Sequence, residues 1–306
     1  MAIKQIRREN RESWLKLREQ YIGGSDAASV VGLNEYQSPY ALWTEKRGLS
    51  PAFSGNLRTR IGTELEPIIA KLFEEETGKK VRNCNFSLVN DKYPWAIADV
   101  DRMIVGEDAL LEIKSTSALN LKHYRNGDYP ARFYVQCQHY LAVTEKQKAY
   151  LAVLIGNSDF KIFEIERDDD EIKAMMEAEE RFYGYMTSGE EPPAVSDDID
   201  SIELAHPVSN ETSIELFGHQ NIMREYLELK ARIAALEKEA DGIAATLKQD
   251  LGDAEKGTDG QYICTWANRT KTTFDKKAFQ KDNQNIDLSK WEKTTKYRAF
   301  SIKEVG

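Results

Sequence analysis

The spacing of apolar residues changes several times along the chain, and each change marks an element. Residues 8–18 read as a short amphipathic helix ending at Leu17-Arg18, and a second short helix follows Gly23-Gly24, capped by Ser25 or Asp26 and closed by Gly32. Ser38-Pro39 opens a third, with Ser at the N-cap and Pro at the first helical position, and Gly48 ends it. From Leu57 to Thr77, Ile61, Leu65, Ile68, Ile69, Leu72 and Phe73 form one stripe of a long helix stopped by Gly78. The period then drops to two. Strands are expected at Phe86–Val89 and Pro94–Ile97, and Met103–Val105 and Ala109–Ile113 flank Gly106-Glu107-Asp108 as a hairpin. A polar loop, 115–129, leads to a helix opened by Pro130. Ala149–Ile155 and Phe160–Ile165 make another hairpin, and a helix over 171–187 follows.

After Gly189-Glu-Glu-Pro-Pro the composition changes. Ile222, Tyr226, Leu229, Ile233, Leu236, Ala240, Ile243 and Leu247 alternate steps of four and three, a heptad seam. It is suited to pairing with a second copy, to packing on the preceding domain, or to packing on the segment that follows. The tail predicts strands at Tyr262–Trp266 and Arg298–Ile302 around a short helix near Lys276–Gln280. The expected domains are therefore 1–195, a linker over 196–212, and a helical and basic α+β region over 213–306.

Candidate chemistry concentrates on the first hairpin. Side chains alternate along a strand, so Leu110, Glu112 and Lys114 share one face while Leu111, Ile113 and Ser115 share the other. An acid and an amine thus project side by side from an apolar strand, and Asp101 can reach them across the hairpin. Two carboxylates and a lysine suit divalent-metal phosphodiester hydrolysis, the acids holding a hard cation and the lysine steadying water or developing charge. The tripeptide alone decides nothing, since Glu-x-Lys recurs at Glu171–Lys173 and Glu228–Lys230 in helical surroundings. A cross-strand ion pair on an edge strand is an equal reading of Glu112 and Lys114 by themselves. At the N-terminus, Arg18 lies near the Gly23-Gly24-Ser25 turn, which reads either as an anion site of backbone N–H groups, hydroxyl and guanidinium or as an ordinary capped helix. Gln136 and Tyr140, four apart, share a helix face.

Composition narrows the picture. The 306 residues carry 41% hydrophobic and 30% charged side chains, with no apolar run near the ~20 residues of a membrane span. Three scattered cysteines and an N-terminus without a signal-peptide pattern point to a reducing cytoplasm. Four histidines without HxxxH or HExxH spacing leave carboxylates as the metal ligands. The net charge of −9 excludes a general nucleic-acid coat but not an enzyme whose cations line one channel. Residues 164–203 are strongly acidic, whereas 261–306 hold ten Lys/Arg against five Asp/Glu.

In order, these segments resemble the YqaJ viral recombinase family, relatives of the lambda exonuclease within the PD-(D/E)xK nuclease superfamily, over about residues 10–195. Arg18-x-x-x-Ile-Gly-Gly-Ser25 resembles its phosphate-binding segment, and Gly62-Thr-Glu-Leu-Glu66-Pro its first motif, with Glu66 rather than Glu64 at the acidic position. Asp101 and Glu112-Ile-Lys114 match the next two, although Val100 stands where the family has proline and Asp99 competes for the acidic role. Gln136-x-Gln138-x-Tyr140 resembles its glutamine motif, with Gln136 at the active position and Gln138 and Tyr140 as secondary candidates. The resemblance implies an α/β restriction-endonuclease-like core, a central mixed sheet flanked by helices, followed by the heptad helix and a small α+β tail. It implies a DNA exonuclease resecting linear duplex from the 5′ end to leave a 3′ single strand. Asp101, Glu112 and the Ile113 carbonyl would hold Mg²⁺ (Mn²⁺ substituting), Glu66 would assist, Lys114 would orient water, Gln136 would hold the network, and Arg18 and Ser25 would take the 5′ phosphate. It further implies a homo-oligomeric ring and a single-strand annealing protein as partner. A structure-specific or restriction-like endonuclease on this fold and a non-catalytic DNA-binding adaptor are the alternatives.

Overall fold

The computed structural model describes residues 2–50, 55–283 and 286–304. The chain divides into two compact units, Met1–His206 and Pro207–Gly306.

The first unit is a mixed α/β structure with two sheets. It begins with a strand, β1 (Ile3–Arg7), that the hydrophobic pattern does not announce. Helix α1 (Arg11–Gln20) starts three residues later than expected, with Asn10 and Ser13 forming a reciprocal capping box. A two-residue strand, β2 (Ile22–Gly23), precedes α2 (Gly24–Val30), and α3 (Pro39–Lys46) begins at the expected Ser38 cap. Helix α4 (Leu57–Thr77) has the expected bounds, with Gly78 left-handed at its end. Its stripe is narrower than the pattern suggests: Ile69 and Phe73 are fully buried, but Ile61 and Ile68 face solvent.

Strands β3 (Val81–Asn83), β4 (Phe86–Asn90), β5 (Tyr93–Ala98), β6 (Arg102–Ile104) and β7 (Ala109–Thr116) follow. A 3₁₀ segment, Ala118–Tyr124, occupies the loop before α5 (Ala131–Thr144). The unit continues with β8 (Lys148–Ile155), β9 (Asp159–Glu166) and α6 (Asp169–Ser188). Strand order is β1-β4-β5-β2 in one sheet and β3-β6-β7-β8-β9 in the other. The two longest-buried strands, β7 and β8, run parallel at the middle of the second sheet and are joined through α5, so both faces must be covered.

That requirement sorts the side chains of β7. Leu110 packs with Leu151, Val153 and α5 residues Cys137 and Leu141, whereas Leu111 and Ile113 pack on the opposite face with Ile69, Phe73 and Tyr150. Glu112 and Lys114, in phase with Leu110, are carried on the α5 side.

Residues expected to form part of a linker are folded: Asp198 is buried, hydrogen-bonds Ser38 and accepts the Val195 N–H, and α7 (Ile199–Ala205) follows it. In the second unit, α8 (Gln220–Leu251) carries the heptad positions. Strand β11 (Ile263–Thr265) falls within the expected segment but pairs with an unanticipated β10 (Lys256–Thr258). Helix α9 (Lys276–Asp282) follows. No strand forms at 298–302; Phe300 instead meets Tyr226 with ring centroids 5.7 Å apart.

One buried polar pair fastens α5 in place. His139 is fully buried, with Nδ1 2.8 Å from Glu179 Oε1 on α6 and Nε2 3.0 Å from the Ile97 carbonyl on β5. Because the carbonyl only accepts, Nε2 carries a proton, and a second proton lies between Nδ1 and Glu179. Removing one partner strands the other in the core. His139→Leu is expected to cost about 3 kcal/mol in urea unfolding followed by tryptophan fluorescence, and His139→Leu with Glu179→Leu to cost markedly less.

Candidate active site

The site begins with the buried carboxylate of Glu112. Its Oε1 accepts from Lys114 Nζ at 2.6 Å and from Gln136 Nε2 at 2.7 Å, while Oε2 has no hydrogen-bond partner among the described residues. Gln136 reaches it because it sits on the face of α5 turned to β7. The same amide donates to the Tyr140 hydroxyl at 3.0 Å, one turn along. Asp101, in the bend before β6, accepts the Ile113 N–H at 2.8 Å. The expected meeting of Asp101, Glu112 and Lys114 therefore occurs, with Gln136 and Tyr140 beside it.

Electrostatics follow from burial. Asp101 is pushed well above the ordinary carboxylate range by burial and then by the charge of Glu112, with Lys114 opposing. Burial also raises Glu112, against the pull of Lys114. Burial alone would lower Lys114, but Glu112 and Asp101 outweigh it and hold the ammonium above its usual value. Lys114 thus carries its charge beside the two carboxylates.

Glu66 lies close enough to Asp101 and Glu112 for its charge to raise both. It lines the same cleft, and its carboxylate is bound by Arg102, which also donates to the Asp101 carbonyl at 2.7 Å. Among the described residues no group of three or more His, Cys, Asp and Glu side chains is arranged to hold a metal ion. Asp99 lines the same cleft, and its oxygens accept from Trp14 Nε1 at 2.8 Å and from Ser87. Gln138 points elsewhere, donating to the Glu166 carbonyl and accepting the Asp168 N–H, so it ties α5 to the start of α6.

Arg18 and Ser25 come together as expected, Nη2 to Oγ 2.7 Å. Asp26, not Ser25, caps α2: its Oδ2 accepts the Gly23 N–H at 2.9 Å, which removes that donor from any anion. Asp26 also accepts from Arg18 at 3.1 Å and Lys46 at 2.6 Å, and these cations hold it low despite burial. Lys46 spends its remaining donors on the Arg18 and Tyr21 carbonyls. Two cations and one anion leave one positive charge, carried at the cleft by Arg18. Its guanidinium lies 5.2 Å from the centroid of the Trp14 ring, which Asp99 anchors. Trp14, Lys46, Arg58 and Arg102 are residues that sequence reasoning missed. Of these only Trp14 left a signal, its i,i+4 spacing to Arg18 on one helix.

Arg18, Ser25, Arg58, Glu66, Asp101, Glu112, Ile113, Lys114, Gln136 and Tyr140 all line one cleft of about 480 Å³. With that geometry in hand, comparison with known proteins is informative. The family model described as the YqaJ-like viral recombinase domain matches residues 13–147. A protein of Bacillus subtilis (strain 168), the uncharacterized protein YqaJ, is 37% identical over 305 residues, spanning 97% of this chain and 95% of that one. The chain belongs to the YqaJ-like viral recombinase family. Its fold is similar to the alkaline exonuclease LHK-Exo of Laribacter hongkongensis (TM-score 0.50, 20% identity, 58% of this chain and 94% of that chain). The same similarity holds for LHK-Exo in complex with dAMP (TM-score 0.50, 21% identity, 58% and 94%).

Within this family member, one glycine holds the site to tolerance. A Cβ built on Gly24 would lie 2.4 Å from Tyr140 Cε1 and 2.8 Å from Cζ, so the ring must move. Displacing Tyr140 displaces Gln136, and with it the orientation of Glu112. Gly24→Ala should therefore loosen the Gln136–Glu112 contact and lower the activity proposed below by about 10–100-fold, measured alongside the melting temperature to separate misplacement from unfolding.

Proposed function

We propose that this protein is a metal-dependent exodeoxyribonuclease that resects linear duplex DNA from the 5′ end, leaving a 3′ single strand for annealing. What carries the reading is the union, in one cleft, of the Asp101–Glu112–Lys114 constellation with the Arg18–Ser25 pair. A restriction-endonuclease-like core accords with the parallel β7–β8 pair, which presents the acidic residues on its α5 side.

The residues fit a hard cation. Glu112 Oε2 is buried without a hydrogen-bond partner among the described residues, and the charge of Glu112 raises Asp101 beside it, which is the donor chemistry that Mg²⁺ or Mn²⁺ satisfies. Asp101, Glu112 and the Ile113 carbonyl would hold it, and Mg²⁺ commonly takes only one or two carboxylates and keeps waters. Glu66, whose Oε1 is held by Arg102, lines the cleft beside them and would assist. When bound, the cation supplies Lewis-acid charge at the phosphoryl oxygens. Lys114, kept protonated by Glu112, donates a hydrogen bond to the attacking water or to the charge developing on the phosphoryl oxygens. Gln136 fixes the Glu112 carboxylate, and Tyr140 fixes Gln136. Arg18 supplies a forked cation and Ser25 a hydroxyl for a terminal phosphate. Helix α2 is only seven residues long and its first free N–H is already capped, so the side chains rather than the helix end are the phosphate donors. Double-stranded DNA ends are the substrate of this reading, an annealing protein is the partner, and the chain self-associates.

Linear duplexes labelled at the 5′ or 3′ end, incubated with Mg²⁺ beside covalently closed circles, test the function. Release of 5′ label from linear DNA with circles intact is the expected result. Cut circles would establish an endonuclease, and binding without cleavage an adaptor. Asp101→Asn and Glu112→Gln should abolish digestion, as should removal of divalent ions by chelation. Lys114→Ala should lower turnover by about 10²–10³-fold with little change in DNA affinity, whereas Glu171→Ala and Lys173→Ala should have no effect.

The terminal phosphate gives a separate test. Duplexes with a 5′ phosphate should be digested faster than 5′-hydroxyl ends, and Arg18→Ala should erase that preference while sparing single-turnover cleavage. Equal rates on both ends in the wild-type protein would place end recognition elsewhere.

A further inference from the structure

The loop between α2 and α3 and the loop before α5 enclose a recess of about 400 Å³ that the nuclease reading does not use. Every residue lining it belongs to the first unit. Tyr124 and Tyr129 form part of its wall, held against Phe163 of β9 with ring centroids 6.3 and 4.9 Å apart. Tyr36, from the α2–α3 loop, supplies a third ring. That loop is tied down: the Tyr36 N–H donates to Asn34 Oδ1 at 3.1 Å, and Asn34 Nδ2 donates at 2.8 Å to Oγ of the fully buried Ser29. Arg132, at the start of α5, lies over the Tyr36 ring at 5.1 Å from its centroid and is itself held by Glu35 at 2.5 Å.

Charge and continuity say what fits. Lys122 and Arg132 line the recess, but so do Glu35 and Asp128. A groove that tracks a phosphate backbone is strongly positive; this one is balanced, and its rings offer stacking instead. Stacking needs a free π-face, which the bases of a duplex spend on one another and an unpaired base keeps. The volume is that of a small-ligand site, too narrow for a duplex but ample for one nucleotide. Side-chain contacts also join the recess to the reaction centre. Arg132 lies 4.7 Å from the Phe133 centroid, and Lys114 Nζ lies 5.2 Å from the same ring. A strand with a phosphate at Lys114 therefore reaches Tyr36 past Phe133 and Arg132.

We propose that the recess at Tyr36 is a stacking site for an unpaired base of a DNA strand engaged at the cleft. Its ligand class rests on the nuclease reading, to which it adds a contact with a base where Arg18, Ser25 and Lys114 contact phosphate. Arg132 is the positioning residue, holding the exposed Tyr36 ring from one face and leaving the other for the base.

The test measures binding rather than cleavage. Full-length protein, with divalent ions chelated, is titrated into a fluorescent oligothymidylate of about ten nucleotides and into an abasic oligomer of the same length. The oligothymidylate is expected to bind about tenfold more tightly by anisotropy, Tyr36→Ala to remove that difference, and Tyr36→Phe to keep it. The salt dependence should be the same in wild type and Tyr36→Ala, because no phosphate contact is lost. Iodouracil placed in the oligomer should photo-cross-link to Tyr36, as located by peptide mapping. Equal affinity for the two oligomers would overturn the site, as would an unchanged difference in Tyr36→Ala or a cross-link only to residues outside the recess. A matching loss of blunt-duplex affinity in Tyr36→Ala, at an unaltered melting temperature, would overturn it too, by making Tyr36 a general DNA contact. Because no step needs metal or cleavage, a chain that stacks bases yet leaves linear duplex intact sinks only the nuclease reading. One that digests duplex without a Tyr36-dependent preference for bases sinks only this site.

Discussion

A carboxylate buried at the centre of a sheet is costly, and much of the first unit is arranged around making Glu112 tolerable. Strand β7 is central because it pairs in parallel with β8, and a parallel pair needs a helix crossing one face. That helix, α5, supplies Gln136, whose amide donates to Glu112 Oε1. Lys114, two residues along the same strand, brings the compensating charge. Each solution imposes a further demand. Gln136 must be held, which Tyr140 does; Tyr140 must have room, which Gly24 provides; and α5 must not rotate, which the buried His139–Glu179 pair prevents. One oxygen of Glu112 has no hydrogen-bond partner among the described residues, and on the proposed reading it is the atom that a cation takes.

The Arg18 side of the cleft is built on the opposite principle. Here a buried anion, Asp26, organises cations rather than the reverse. Lys46 neutralises Asp26 from inside and is fully used up by it and by two backbone carbonyls. Arg18 shares Asp26 with Lys46 and is held at the cleft by that ion pair, by the Ser25 hydroxyl and by the Trp14 ring. The arrangement supplies a positioned guanidinium at small entropic cost, because its rotamer is fixed before any ligand arrives. Asp99 connects the two halves: it steadies Trp14 and sits two residues before Asp101.

What was legible in the sequence was what is local. The β6–β7 hairpin, α4 with its glycine stop, and the β7 side-chain alternation follow from periods of 2 and 3.6 alone, and the alternation already places Glu112 beside Lys114. Strand β1 was hidden because Ile3-Lys-Gln-Ile-Arg7 is an edge segment whose two apolar residues sit three apart, a helical spacing. Strand β2 is too short to show any period. Arg298–Ile302 has the alternation of a strand but no neighbouring strand to pair with among the described residues, and a strand without a ladder is not a stable element. In the site, Glu66 could be found by its motif, but its capture by Arg102 could not, because that contact is made only when α4 packs beside β6. Lys46 is invisible for the same reason.

The charge distribution links the site to the whole molecule. A protein of net charge −9 repels polyanions at long range, so nonspecific adhesion along a duplex is weak. Several cationic side chains nevertheless meet at the site. Arg18, Arg58 and Lys114 line the cleft, and Arg7, Arg8 and Arg102 line the adjoining depression, which shares Glu66 and Asp101 with it. On the proposed reading this favours ends over interiors. The interior of a duplex offers phosphates spread along a rod, which a few clustered cations on an acidic body engage poorly. A terminus offers an extra phosphate charge and strands that can be parted, and both can enter a recess. On that reading, the same acidity that argues against a nucleic-acid coat helps a small cluster of arginines to select an end.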